Sequence, residues 1–155
     1  MPVFEDSSQL YNFCVAHNVY DYRELLVDFN IEIVNTDNMP DKYLGFAIPG
    51  TRTIFMKNGI THINPEFIEA HETTHILLGS IPAAFYNSSY VSNRKVESQA
   101  NEGAYFILLR KYVNNFDLSR EDFILENFMN SYKIPNMYYF QVQKFISEFD
   151  SEIFT

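Results

Sequence analysis

The 155 residues contain a single cysteine, Cys14. An intrachain disulfide and a cysteine-based zinc cluster are therefore both excluded, which fits a reducing cytoplasm. Basic residues are also scarce: 11 Lys and Arg stand against 20 Asp and Glu, for a formal net charge of −9. The basic residues are scattered, with no run longer than Arg94-Lys95 or Arg110-Lys111. That pattern argues against direct binding of a nucleic-acid backbone, which needs clustered positive charge. No stretch approaches the roughly 18 apolar residues of a membrane span. The N-terminal MPVFEDSSQLYNF has no basic region followed by an apolar one. The expectation is a soluble, cytoplasmic protein with no membrane partner.

Hydrophobic residues are plentiful. They make up 46% of the chain and aromatics 17%, including 15 Phe and 11 Tyr. A chain of this length and composition can bury a core of its own, so disorder is not expected and residues 1–155 read as one domain.

The pattern changes period along the chain. Residues 7 to 30 read as helices, with Ser7 or Ser8 capping the first and Asp21 the second. IEIVN (31 to 35), YLGFAI (43 to 48) and RTIFMK (52 to 57) read as strands, the last two joined as a hairpin through Pro49-Gly50. Residues 61 to 63 suggest a short further edge strand. From Asn64 onward the pattern is helical. Asn64-Pro65 starts a helix over about 65 to 78 and Gly79 stops it. A long helix is expected over about 93 to 114, then two more near 119 to 131 and 136 to 149. The fold class this implies is α+β: a small antiparallel three-stranded sheet packed against a mainly helical domain.

The chemistry concentrates in AHETTHILLG, residues 70 to 79. Residues four apart lie on one helical face, so His71 and His75 can offer imidazole nitrogens to one Zn²⁺ ion. Glu72 sits about 100° around the helix from His71. That offset suits a general base beside the metal rather than a ligand on it. A helix with two buried, hydrogen-bonded histidines is the plainer alternative. The cap before the motif and the apolar Ile68, Ile76, Leu77 and Leu78 around it favour a metal site anchored in a core. Catalytic zinc usually has a third protein ligand. His17 and His62 are poorly placed for that role. Glu97 and Glu102 on the next long helix are both available.

HETTHILLG followed by VESQANEGAYFILL resembles the ImmA/IrrE family of metallopeptidases. Members pair a His-Glu-x-x-His helix with a later helix reading roughly Glu-x-x-Ala-Asn-x-x-Ala, followed by paired leucines. Here that second motif runs from Glu97 through Ala100, Asn101 and Ala104 to Leu108-Leu109. The resemblance covers about residues 20 to 115 and implies a zincin-like helical domain with Glu97 as the third zinc ligand. Glu102 is left as a supporting charge. Gly103 departs from the family pattern. A mid-helix glycine costs about 1 kcal/mol against alanine, so close packing is expected there.

The loop between the ligand helices carries Tyr86 and Tyr90. Either hydroxyl could stabilise an oxyanion, although covering the core is the plainer role for each. The strand from Arg52 to Lys57 is a candidate edge for an extended peptide substrate. The C-terminal helix pair superficially resembles a DNA-reading helix-turn-helix. Its second helix has only Lys144 as a basic residue, so core packing is expected instead.

Two functions follow. The first is a zinc endopeptidase with Glu72 as general base and a protein substrate. The resemblance implies that this substrate is a cognate helix-turn-helix repressor of a phage, prophage or mobile element. The second is a non-proteolytic antirepressor that binds its partner and has a structural or vestigial metal site. The presence of Glu72 favours the enzyme, since a structural site needs no base. Two His and one Glu also suit divalent metals other than zinc.

Overall fold

Asp6 and Asp21 start the first two helices of the chain. The structure, a computed structural model, describes residues 2 to 79 and 90 to 155, and their side chains except those of 90 to 93. At the head of α1 (Ser7–Ala16) the Asp6 carboxylate accepts from Gln9 N at 2.9 Å. Asp6 takes the capping place expected of Ser7 or Ser8, because its backbone is extended and both serines are already helical. α2 (Tyr22–Asp28) begins with a capping box formed by Asp21 and Glu24, as the sequence suggests.

β1 (Glu32–Thr36), β2 (Gly45–Ile48) and β3 (Thr53–Lys57) form a sheet in the order β1-β3-β2. β2 and β3 make the expected antiparallel hairpin through a 3-10 turn at Pro49–Thr51. The expectation of an all-antiparallel sheet is corrected at β1, which runs parallel to β3. β3 takes the centre because its Ile54 and Met56 are fully enclosed. After β1, residues 37 to 44 carry the chain across to the far edge, where it returns as β2. A strand antiparallel to β2 on the other side of β3 must then be parallel to β3. Residues 61 to 63 form no strand.

α3 (Pro65–Leu78) carries the histidine motif. Asn64 Oδ1 accepts from Glu66 N at 3.0 Å, Pro65 occupies the first turn, and Gly79 ends the helix at φ 65°. α4 (Tyr90–Phe116), α5 (Leu125–Ser131), α6 (Tyr139–Glu148) and α7 (Asp150–Ile153) complete the order. α5 begins later than expected because Ser119 and Asp122 bond to each other in a turn ahead of it.

α3 packs against β2 and β3 and against α4. Burial on both sides suits its neutral Thr73 and Thr74, which are fully enclosed with their hydroxyls donating to Glu69 O and Ala70 O one turn back. α3 and α4 pack closely where Thr74 meets Gly103. A Cβ on Gly103 would lie 2.4 Å from Thr74 Cγ2, which is the close packing expected of a glycine inside a helix. α6 turns Val142, Phe145 and Ile146 into the core, so it is a packing helix. Among the described residues, no helix is long and apolar enough to cross a membrane.

Candidate metal centre

One helical turn separates His71 from His75, and their rings meet edge-on with centroids 4.8 Å apart. α4 brings Glu97 against both. His71 Nε2 lies 3.0 Å from Glu97 Oε2, and His75 Nε2 lies 3.2 Å from Glu97 Oε1. The three donor atoms fall within 4.8 Å of one another. Ligands held about 2.0–2.1 Å from a tetrahedral zinc are about 3.3 Å apart, close to the two His–Glu97 separations.

Protonation chemistry points the same way. Asn101, on the face of α4 that also carries Glu97, lies with Oδ1 2.9 Å from His71 Nδ1. A carbonyl oxygen only accepts, so Nδ1 carries hydrogen and Nε2 turns its lone pair toward Glu97. A lone pair and a carboxylate oxygen at 3.0 Å repel unless a positive charge, either a proton or a metal ion, stands between them. Burial alone would lower the His71 pKa. The Glu97 hydrogen bond and the charges of Glu72 and Glu97 raise it overall. Burial would likewise raise the Glu97 carboxyl, but hydrogen bonds to both histidines hold it far below the usual range. The cluster is built to hold a cation.

Glu72 stands apart from these donors. It is buried, and desolvation lifts its pKa despite the two neighbouring histidines and the nearby Ala47 backbone. Its Oε2 has no protein partner among the described residues. The carboxylate lies beside Ala47, at the edge of the sheet. Lys57 N donates to Leu44 O, so Leu44/Lys57, Phe46/Phe55 and Ile48/Thr53 are the hydrogen-bonded pairs of the hairpin. The N–H and C=O of Gly45 and Ala47 therefore point away from β3, toward the outer edge of β2, where Glu72 sits. Gly45 permits the approach, since a Cβ there would lie 2.6 Å from Ile68 Cγ2 and 3.1 Å from Glu72 Cγ. The peptide edge expected on residues 52 to 57 is corrected accordingly. β3 is the central strand, and β2 is the edge beside α3.

Glu102 is turned toward Glu148 and Lys144 of α6, away from the histidines. His17 stacks on Phe13 and donates to its carbonyl, and His62 is exposed; neither approaches the centre. Tyr86 and the Tyr90 side chain lie outside the described residues. A groove lined by Arg94, Lys95, Ser98 and Gln141, about 520 Å³ in volume, opens beside Glu97 and Asn101. Sequence reasoning assigned no role to Asn101 or to the Ala47 amide. The four-residue spacing of Glu97 and Asn101 on one helix was the available signal for the first.

No family model matches the chain, and no curated protein matches it. Among solved structures, the chain matches a Mycobacterium tuberculosis transcriptional regulator with 18% identity and a TM-score of 0.43. The match covers 92% of this chain and 51% of that one, so the chain spans about half the length of that protein. At that distance the likeness assigns no function.

Proposed function

We propose that this chain is a zinc-dependent endopeptidase acting on a protein substrate. The resemblance to ImmA/IrrE peptidases makes a helix-turn-helix repressor of a phage or mobile element the expected target. The observation that carries this reading is the place of Glu72: buried, outside the converging donors, and packed beside the edge strand β2.

His71, His75 and Glu97 are the residues that would hold the ion, and Asn101 fixes the ring of His71. When bound, the ion supplies a Lewis acid that polarises the scissile carbonyl and lowers the pKa of water. Glu72 Oε2 receives the proton of the water that attacks the carbonyl carbon. As the C–N bond breaks, that proton passes to the departing amine. Desolvation makes Glu72 more basic than an exposed carboxylate, which suits it to that transfer. The main-chain groups of Gly45 and the Ala47 carbonyl align an extended peptide along β2, so its backbone lies beside Glu72.

The test is cleavage of the cognate helix-turn-helix repressor by zinc-loaded wild type and Glu72→Ala. The variant is expected to keep its zinc and to lose at least about 100-fold in cleavage rate. Unchanged cleavage by Glu72→Ala would overturn the mechanism. Normal zinc binding by His71→Ala would overturn the site. Full derepression by Glu72→Ala without cleavage would favour the non-proteolytic antirepressor.

A further inference from the structure

We infer that the pocket on the outer face of the sheet, lined by Met39, Pro40, Tyr43, Phe46 and Phe55, is a specificity subsite for one large apolar side chain of an extended peptide. The inference rests on the peptidase reading and deepens it by naming the substrate class.

Side chains alternate between the two faces of a strand. On β2, Gly45 and Ala47 face α3, so Phe46 faces the other way. Its cross-strand neighbours Phe55 on β3 and Val34 on β1 extend this apolar row over the outer face. Residues 38 to 43 border that row and leave a pocket of about 350 Å³. The Tyr43 ring stands 6.1 Å from the Phe46 ring at its mouth. The lining is mostly apolar, with Thr36 and Asn38 as its polar members.

The hydrogen-bond register ties this pocket to the candidate centre. A peptide added along the outer edge of β2 would bond to Gly45 and to the Ala47 carbonyl, which point that way. Its residue beside Ala47 lies next to Glu72. The adjacent residue lies across from Phe46 and shares its face, so its side chain is directed at the pocket. A small or charged side chain there would leave the aromatic lining unfilled or desolvate a charge without a partner. A Leu, Ile, Met or Phe side chain fills the space. The sheet thus reads one apolar residue immediately next to the position held for cleavage.

The experiment uses zinc-loaded protein and a mixture of peptides of randomised sequence, with cut sites read by mass spectrometry. Large apolar residues are expected at one fixed position within two residues of the cut, preferred about tenfold over Ala or Gly. Tyr43→Glu is expected to abolish that preference and favour Lys or Arg at the same position. Met39→Glu, in the bordering loop, is a second variant with the same expected direction. Zinc content and circular dichroism establish that each variant is folded. Cleavage with no apolar preference near the cut, or a preference unchanged in both variants, would overturn the subsite and leave the peptidase reading standing. If wild type cuts nothing, retention of the same mixture on immobilised Glu72→Ala decides the matter. Apolar-selective retention that Tyr43→Glu removes keeps the subsite and ends the peptidase reading. Retention without that selectivity overturns the subsite.

Discussion

Asn101 Oδ1 and His71 Nδ1 lie 2.9 Å apart, on the side of the imidazole ring away from Glu97. This contact selects the tautomer that would present Nε2 to a metal ion, and it holds the ring plane. Asn101→Ala is expected to weaken zinc binding about 10- to 100-fold while leaving the fold intact. Competition against a coloured chelator measures it. Affinity equal to wild type would show that the contact plays no part in metal binding.

Gly103 should resist substitution although it lies inside a helix. Gly→Ala in a helix interior normally stabilises by about 1 kcal/mol. Here the new methyl would meet Thr74 Cγ2 at 2.4 Å and Oγ1 at 2.5 Å. Gly103→Ala is therefore expected to destabilise by about 1–3 kcal/mol. Thr74→Ala should relieve part of that loss, so the double variant is more stable than the two single losses add up to. Urea denaturation of the four proteins gives the coupling; simple additivity would contradict it.

Arg110 is enclosed in α4 and satisfied by carbonyls instead of a carboxylate. It donates to Val19 O at 3.0 Å, to Cys14 O at 3.4 Å and to Glu152 O, and its guanidinium lies over the Tyr20 ring. The side chain joins the end of α1, the turn after it and α7. Arg110→Met leaves those carbonyls without their donor, and a loss of about 3–5 kcal/mol is expected. Chemical denaturation checks it, and a loss under about 1 kcal/mol would show that the carbonyls find other partners.

Cys14 is buried, and desolvation pushes its thiol from an ordinary 9.0 up to about 12, although Arg110 nearby pulls it down. The native protein should therefore react with a thiol reagent only as fast as it unfolds. The linkage has a definite sign. Between pH 9 and about 12 the unfolded thiol loses its proton while the folded one keeps it, so this group's stabilisation is complete below 9 and falls as pH rises. Labelling in native buffer and in urea tests the first point, and rapid native labelling would contradict the burial. Comparison of wild type with Cys14→Ala across that pH range tests the second.

Local signals in the sequence carried most of the helical frame. Asn64-Pro65, Gly79, Asp21 and the Pro49-Gly50 turn act within a few residues of themselves, and each does what its chemistry suggests. The direction of β1 was not legible, because a strand's alternation is the same for parallel and antiparallel partners and only the path of residues 37 to 44 decides it. For the same reason the edge beside α3 could not be separated from the central strand. His71 and His75 follow from helical spacing alone. Their meeting with Glu97 depends on how α3 crosses α4, which the Thr74–Gly103 contact helps to set. The Ala47 amide has no sequence signature, since its role comes from backbone direction at a sheet edge.

Anomalous diffraction at the zinc edge, from crystals of zinc-loaded protein, tests the central claim most directly. The account predicts one ion bonded at about 2.0–2.1 Å to His71 Nε2, His75 Nε2 and the Glu97 carboxylate, with Glu72 near it but not bonded. No ion among those three donors, or an ion ligated by Glu72, would contradict it.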